Sequence, residues 1–191
     1  MRRFLFLLVY ISILTACRTA EKNDANHQPR PTKPLPPAET KVVKGDFIYR
    51  LFTEKDVYDI FGDTAIFAEL TYIGDQASID ISHAASPFYF PLEERTRGIS
   101  IDYPMNEPLI VTTLKKDEPL RARYSFAGGN SENDDEKIIE FIQTLINEGF
   151  PKGEYIIHGS AEFNIELGTI DVEPFKLEAD IGFIVTEGVN E

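Results

Sequence analysis

The chain has 191 residues, of which 42% are hydrophobic, so it can build the core of one domain and is not wholly disordered. Its 32 acidic and 19 basic residues give a net charge of −13, which argues against nucleic-acid binding because contacts to phosphates need a surplus of Lys and Arg. A single cysteine excludes a disulfide framework and any zinc site built on several thiolates.

Residues 1–16 are typical of an export signal. Arg2 and Arg3 give it a positive start, and an apolar run follows from Phe4 to Leu14. The run is shorter than the roughly 20 apolar residues that span a bilayer, and small residues follow it. We therefore predict a signal peptide over residues 1–16.

The signal ends with Leu14, Thr15, Ala16 and Cys17. These four residues resemble the lipobox of bacterial lipoproteins, in which a small residue precedes the cysteine that receives the lipid. The resemblance implies cleavage after Ala16 and a diacylglyceryl thioether on Cys17, with the membrane as a partner reached through that lipid. Two or more acyl chains anchor a protein stably, since each buried CH₂ contributes about 0.8 kcal/mol. The expected location is the cell membrane, with the lipid-anchored chain facing the outside of the cytoplasm.

Residues 17–44 differ in composition from the rest of the chain. Five of the 12 prolines fall between Pro29 and Pro37, and apolar residues are sparse and show no period, which predicts an extended, proline-rich tether. Charge divides the chain at the same place: this segment has six basic and three acidic residues, whereas residues 45–191 have 11 basic and 29 acidic ones. The folded domain is therefore predicted to span residues 45–191.

From residue 45 onward, short apolar runs recur between turn residues, which predicts an all-β sandwich rather than alternating strands and helices. Residues 77–83 alternate between polar and apolar side chains, as a half-buried strand does. A turn at Gly168 separates the last two strands. The predicted strands are 47–52, 65–72, 77–83, 99–101, 109–114, 120–126, 155–167 and 175–185.

One inserted α-helix is predicted over about residues 134–148. Asn133 or Ser131 is expected to cap its start, and Gly149 is expected to end it. The spacing i, i+3, i+4 and i+7 places four apolar residues on one stripe of this helix. These residues are Ile138, Phe141, Ile142 and Leu145.

The acidic residues just before this helix have two interpretations. Carboxylates favour a helix N-terminus, which gives them a structural reason. The alternative is a calcium loop with Asn130, Glu132 and Asp134 as ligands, but Phe141 stands where such a loop needs a bidentate acid. We therefore predict no metal site at this position.

Pro151, Gly153 and Tyr155 open the penultimate predicted strand in a P-x-G-x-Y pattern. The pattern resembles the tyrosine corner of immunoglobulin-like sandwiches, in which the hydroxyl bonds to backbone upstream. Ile157 stands where an antibody domain has its cysteine, and the chain has no tryptophan, so the resemblance is to the broad immunoglobulin-like architecture. The layout is also similar to the small sandwich of the intracellular proteinase inhibitors of bacilli, and this similarity implies no inhibitory residue. The predicted fold is an immunoglobulin-like antiparallel β-sandwich with one inserted helix.

The sequence contains neither a G-x-S-x-G nucleophile elbow nor a glycine loop for phosphate. His83 and His158 lie on predicted strands that would be neighbours in an immunoglobulin-like topology, but two ligands without a third make a poor metal site. Paired carboxylates of a glycoside hydrolase cannot be singled out among 32 acids. We predict no catalytic residue, no metal and no cofactor.

Residues 83–108 contain the candidate binding face. Its members are Phe88, Tyr89 and Phe90, which lie between two prolines, followed by Arg95 and Arg97. Aromatic residues and Arg are enriched in the cores of protein interfaces. The alternative is that Phe88 and Phe90 point into the core while Tyr89 points out.

These observations predict a membrane-anchored extracytoplasmic lipoprotein that acts as a non-catalytic binding module, with a protein as its possible partner and no nucleic acid. The alternative is a small cell-envelope hydrolase or sugar-acting enzyme. A concave pocket with two or more titratable groups favours the enzyme, whereas an exposed patch of aromatic and Arg side chains favours binding.

Overall fold

A computed structural model describes residues 33–129, 135–166 and 172–188. In these ranges the chain forms two mainly antiparallel sheets packed together, with one helix, α1, at Glu136–Asn147. The predicted all-β sandwich with one inserted helix is confirmed. The strands, numbered in chain order, are β1 Glu39–Lys44, β2 Phe47–Thr53, β3 Val57–Asp59, β4 Ile66–Tyr72, β5 Ser78–His83, β6 Phe88–Tyr89, β7 Leu92–Glu94, β8 Ile99–Ile101, β9 Ile110–Lys115, β10 Pro119–Arg123, β11 Gly153–Glu166 and β12 Val172–Thr186.

The smaller sheet has the strand order β1-β2-β4-β10, and all its pairings are antiparallel. β2 pairs with β4 from Phe47 opposite Tyr72 to Thr53 opposite Ile66. Alternate side chains of β4 are buried, which is the period of two that its sequence predicts. One face of this sheet therefore contributes to the core.

The larger sheet is built on the hairpin of β11 and β12. Its strand order is β3-β12-β11-β5-β9, and β6 and β7 also pair with β11, while β8 pairs with β7. Along its second edge β11 therefore meets β7, β6 and β5 in succession. β3 runs parallel to β12, which departs from the purely antiparallel sandwich that the sequence predicts.

Aromatic rings fill much of the space between the sheets. Phe47 packs edge-on against Phe163 with the ring centroids 4.9 Å apart, and Tyr155 stacks on Phe183 at 5.2 Å. The apolar stripe of α1 also joins this core, as its spacing predicts. Its buried members are Phe141, Ile142 and Leu145, and Ile138 packs against them while partly buried.

The folded domain begins earlier than the sequence predicts. β1 pairs with β2 along its whole length, and the Thr40 hydroxyl donates to the Asp180 carbonyl at 2.7 Å. The Gly182 N–H donates to the Pro37 carbonyl at 3.2 Å, and the compact unit starts at Pro34. The prediction of a tether reaching residue 44 is therefore wrong for residues 34–44. Four of the six side chains of β1 are polar and its two valines are adjacent, so no hydrophobic alternation indicated this edge strand.

No helix in the described ranges is long and apolar enough to cross a membrane. The predicted signal peptide over residues 1–16, the lipidation site Cys17, the tether up to residue 32 and the turn at Gly168 all lie outside the described residues.

Candidate functional site

The predicted binding face does not form a surface. Phe88 and Phe90 are only 1% and 3% exposed, because β6 pairs with β11 and both rings point into the core. Tyr49 stacks on Phe88 with the ring centroids 6.3 Å apart, and Tyr103 packs on Phe90 at 5.5 Å. The alternative interpretation is therefore correct: the two phenylalanines lie inside, and only Tyr89 between them is partly exposed.

The two prolines around this segment fit beside β11 because the ladder uses only their carbonyls. Pro87 accepts a hydrogen bond from the Glu162 N–H at 2.8 Å, and Pro91 accepts one from the His158 N–H at 2.9 Å. Proline has no N–H to donate, so it is tolerated where β11 requires an acceptor. The aromatic segment is thus held in the sheet by its flanking residues.

The two predicted arginines are held by contacts within the chain. Glu94 is buried, and its carboxylate accepts hydrogen bonds from two backbone N–H groups of the following turn, at 3.0 and 2.7 Å. The Arg97 guanidinium lies 3.3 Å from Glu94 and donates to the Lys152 carbonyl at 3.0 Å. Arg95 lies 3.8 Å from Glu154. Both arginines therefore fasten the turn after β7 to the start of β11.

The contacts of the residues around Glu94 also explain the P-x-G-x-Y pattern. A Cβ atom at Gly153 would collide with the Glu94 carboxylate, so this position requires glycine. The buried Tyr155 hydroxyl donates to the Pro151 carbonyl at 2.5 Å, which is the predicted tyrosine corner. Burial raises the pKa of Tyr155, and the charge of Glu94 raises it further.

The two strand histidines do not meet, so the hypothesis of a histidine pair is wrong. β5, which ends at His83, pairs with β11 only at Asn164–Ile165, well beyond His158. His83 is buried and donates from Nδ1 to the Ala84 carbonyl at 2.7 Å, since a carbonyl only accepts. Its Nε2 lies 2.8 Å from the Thr112 hydroxyl. Both ring nitrogens of His83 are therefore occupied within the fold.

His158 lies between two carboxylates on neighbouring strands. Its Nδ1 is 2.9 Å from Asp180 on β12, and its Nε2 is 3.2 Å from Glu93 on β7. Partial burial lowers the pKa of His158, but the hydrogen bonds and charges of Asp180 and Glu93 together outweigh it, so the pKa is raised above its ordinary value. The arrangement ties three strands together and leaves no free ring nitrogen for a metal or a substrate.

Within the ranges that the structure covers, no three His, Cys, Asp or Glu side chains lie close enough together to hold a metal ion. The residues of the calcium-loop alternative, Asn130, Glu132 and Asp134, lie outside those ranges, as do Ser131 and Asn133. The residue that precedes the first turn of α1 is Asp135, whose side chain makes no capping hydrogen bond. The cap is therefore later in the chain than predicted.

One groove, of about 600 Å³, lies between α1 and the turn that holds Arg97. The Arg97 guanidinium lies over the Phe141 ring, 5.6 Å from its centroid. Because Glu94 and the Lys152 carbonyl already bind this guanidinium, Arg97 acts here as part of the scaffold.

A second groove, of about 540 Å³, lies at the rim of the larger sheet, and we call it the rim groove. It forms beside β11, where the segment that joins β5 to β6 leaves the sheet. There the Ala85 N–H donates to the Asn106 carbonyl at 3.0 Å. The residues after Asn106 form one side of the groove. The side chains that line the rim groove include Tyr89, Glu107, Leu109, Glu162, Pro174 and Lys176.

Two of the charged side chains in the rim groove, Lys176 and Glu162, are paired with each other. Lys176 lies 2.9 Å from Glu178 and 3.1 Å from Glu162, and these two hydrogen bonds raise its pKa. Burial raises the pKa of Tyr89, and the nearby charges of Glu162 and Glu107 add to this. Glu107 has no ion-pair partner among the described residues.

The exposed apolar surface of the domain is concentrated at one end of β9. Leu109, Ile110 and Val111 are 79%, 37% and 57% exposed, and they are consecutive. β9 is the last strand in the order of the larger sheet and pairs with β5 along one side. An apolar strand at a sheet edge is a template for pairing with another chain. The other large apolar side chains with this exposure are not consecutive in the sequence: Val43, Val57, Phe61, Ile73 and Ile146.

The direction of the backbone groups shows which residues of β9 have a free edge. The Lys116 N–H donates to the Ala77 carbonyl at 2.9 Å, toward β5. Successive residues of an antiparallel strand point these groups to opposite sides. Val111 and Thr113 are an odd number of residues away from Lys116, so they direct their N–H and C=O groups away from β5. Neither forms a further backbone bond within the described ranges.

Sequence patterns predicted a strand over 109–114 but did not single out its first residues as exposed. An apolar run after a proline is equally typical of a strand buried on both faces. Only the strand order shows that this run lies at an edge.

The chain matches no protein-family model, no curated protein and no solved structure. Its function is therefore inferred from its residues and their geometry.

Proposed function

We propose that the protein is an exported, lipid-anchored binding module whose strand β9 pairs with an extended segment of a protein partner. The observation that carries this proposal is the exposed apolar run Leu109–Val111 at a free backbone edge. An added strand gains main-chain hydrogen bonds, while pockets for alternate side chains give specificity. The rim groove beside Leu109 supplies such a pocket.

Leu109 directly precedes β9, and the side chain of Val111 extends from the outer face of this strand. Thr113 follows on that face and is also exposed, whereas Leu114 on the opposite face is buried in the core. Residues needed for the fold are thereby separated from residues available to a partner. This separation permits substitutions at the outer positions that leave the core intact.

The binding test places a photocrosslinking amino acid at position 111 of the full chain in living cells. The matched control is position 43, because Val43 is 58% exposed, against 57% for Val111, and also lies on a terminal strand of a sheet. We expect a crosslinked product from position 111 and none from position 43. No product from position 111, or equal yields from both, would contradict the proposal.

A substitution gives a second measure of the same surface. Val111→Asp is expected to lower association with the partner because it places a charge among the apolar contacts. Val43→Asp adds the same charge elsewhere and is expected to leave association unchanged. Thermal unfolding of both variants checks that neither loses the folded domain, since surface changes usually alter stability by only about 0.5 kcal/mol.

The lipid anchor rests on the motif from Leu14 to Cys17. Cys17→Ser removes the thiol that would receive the lipid, so this variant is expected to incorporate no labelled fatty acid. The chain would then be released into the medium or retained as a precursor. Thr19→Ser is the control and is expected to be labelled like the wild type. Undiminished labelling of Cys17→Ser would overturn the anchor.

A further inference from the structure

We infer that the segment that pairs with β9 also pairs with β10, in the seam between these two strands, and that it alternates apolar with acidic residues. This inference rests on the proposed role of β9 as an interaction edge. We define the seam by residues 110–113 of β9 and 120–123 of β10. The two strands follow each other in the chain but belong to different sheets, β9 beside β5 and β10 beside β4. Each is the last strand in the order of its sheet.

The backbone of β10 leaves a free edge that matches the free edge of β9. The Tyr124 N–H donates to the Ile66 carbonyl at 2.9 Å, toward β4. Because these groups alternate along an antiparallel strand, Arg121 and Arg123 direct their N–H and C=O groups away from β4. Neither forms a further backbone bond within the described residues. The seam therefore has unpaired backbone donors and acceptors on both of its sides.

Contacts within the chain bound the seam at both ends. Near the turn that joins β9 to β10, Lys116 pairs with Tyr72 of β4, and the Asp117 N–H donates to the Tyr72 carbonyl at 2.9 Å. Just beyond β10, the Tyr124 ring packs on Tyr103 with the ring centroids 6.4 Å apart. The stretch between these contacts is about four residues long on each strand, or about 13 Å. It therefore fits a short extended segment.

The apolar core is incompletely covered at the seam. Core-facing residues of the central strands, such as Leu51 and Leu70, are 0% exposed. On β9, Ile110 lies on the same side of the strand as the buried Leu114 and is nevertheless 37% exposed. On β10, the core-facing Leu120 is only partly buried. Apolar side chains of the partner that face the core would remove this surface from water.

β1 shows how one strand closes such a gap at the other end of the smaller sheet. It pairs with β2, and just before it the Pro37 carbonyl accepts a hydrogen bond from the Gly182 N–H of β12 at 3.2 Å. The Thr40 hydroxyl on β1 donates to the Asp180 carbonyl of β12 at 2.7 Å. β1 therefore bridges the two sheets. Among the described residues, no strand bridges β9 and β10 in this way.

The charge beside the seam is opposite to that of the domain. Residues 45–191 include 11 basic and 29 acidic residues, yet the stretch 115–123 has four basic and two acidic ones. Two of these basic residues, Arg121 and Arg123, lie on the outer face of β10 and are 47% and 49% exposed. Opposite charges directly across two strands stabilise the pairing of those strands. The partner segment is therefore expected to carry Asp or Glu opposite these arginines.

Arg121 is well placed to bind a carboxylate of the partner. Its guanidinium lies over the Phe67 ring, 3.9 Å from the centroid, and this contact holds it in place. Its Nε lies 3.7 Å from Glu69, a carboxylate that Arg50 binds at 3.1 Å. Arg121 has no other ion pair among the described residues. Its remaining N–H groups are therefore available to an acidic side chain.

The test identifies the partner segment from both sides of the seam. A photocrosslinking amino acid is placed at position 111 on β9 or at position 123 on β10 of the full chain in living cells, and the crosslinked peptide is sequenced by mass spectrometry. Both positions are expected to capture the same segment, with apolar and acidic residues in alternation. Position 43 on β1 is the control and is expected not to capture it. Different segments from the two positions, or a segment without acidic residues, would overturn the inference.

Charge reversal measures the contribution of Arg121. Arg121→Glu is expected to lower the crosslinking yield from position 111 about tenfold, because it places like charges across the two strands. Lys41→Glu makes the same charge change on the exposed part of β1 and is expected to leave the yield unchanged. Changing the captured acid of the partner to Lys is expected to restore the yield with Arg121→Glu, which a misfolded domain could not do. Equal yields from the wild type and Arg121→Glu would contradict the acidic partner.

The two crosslinking positions also separate this inference from the proposed function. A product from position 111 with none from position 123 would overturn the seam and leave pairing at β9 standing. No product from either position would contradict both.

Discussion

Two short apolar segments of the larger sheet, Phe88–Phe90 and Leu109–Val111, follow a proline and have opposite environments. The first meets β11 inside the sheet, and Tyr49 of the smaller sheet covers it. The second lies at or beside β9, where the order of strands ends. Aromatic content favoured the first segment as a surface, yet the second is the exposed one. Strand order, rather than composition, decides which apolar run remains available to a partner.

The largest expected effect is the difference in stability between truncations of the two segments. Phe88→Ala is expected to lower the free energy of unfolding by about 3–5 kcal/mol, because it leaves a cavity in the core. Leu109→Ala is expected to change it by no more than about 0.5 kcal/mol. Urea denaturation of both variants measures this difference. Similar losses in the two variants would show that one of the segments has been assigned to the wrong environment.

A smaller effect concerns the ring that covers Phe88. The Tyr49 hydroxyl is buried and has no hydrogen-bond partner in the described part of the chain, whereas the Tyr155 hydroxyl bonds the Pro151 carbonyl. Tyr155→Phe is expected to lower the free energy of unfolding by about 0.5–1.5 kcal/mol. Tyr49→Phe removes no bond and is expected to leave it unchanged or raise it by up to about 1 kcal/mol. Denaturation curves of the two variants, measured side by side, test this, and an equal loss in both would contradict it.

The smallest expected effect depends on pH. His158 on β11 bonds Asp180 on β12 and Glu93 on β7, so it ties the chain just after the Phe88 segment to these two strands. Because its pKa is raised in the folded state, protonated His158 contributes stability that is fully present below about pH 6.5 and is lost as pH rises through the folded pKa. The side chain is 45% exposed, so we expect only a few tenths of a kcal/mol.

The measurement compares the free energy of unfolding of the wild type and His158→Gln across pH. The difference is expected to be largest near about pH 5.5 and to fall toward about pH 9. Asp180→Asn is expected to reduce this pH dependence, since it removes one of the two charges that stabilise the protonated ring. A difference that stays constant with pH would show that His158 does not contribute through its charge.

Periodic patterns in the sequence predicted the parts of the fold in which one element has one buried face. The stripe Phe141, Ile142 and Leu145 on α1 and the alternation in β4 are of this kind. β1 was missed because four of its six side chains are polar and its two valines are adjacent, so its sequence shows no alternation of polar and apolar residues. β6 and β7 were missed because Pro87 and Pro91 lie next to them, and a proline argues against a strand. In the structure the carbonyls of both prolines accept hydrogen bonds from N–H groups of β11.

The candidate site was less accessible to the same reasoning. Glu94 lies in a short charged run, and nothing in the sequence shows that this acid is buried and binds the turn that holds Arg97. The exposure of Leu109 follows from pairings of β5 with β9 and β11, which are tertiary contacts. Local composition describes what a segment contains, while its neighbours in the sheet decide what it exposes.

β11 and β12 supply the pairing partners of β3, β5, β6 and β7, yet they follow all of these strands in the chain. Val57 of β3 pairs with Ile184 of β12, so a loop spanning most of the domain must close before that ladder forms. A nascent chain therefore cannot complete the larger sheet until β11 and β12 have been synthesised. For a chain that we propose is exported, this order leaves the larger sheet incomplete until the last two strands have been synthesised.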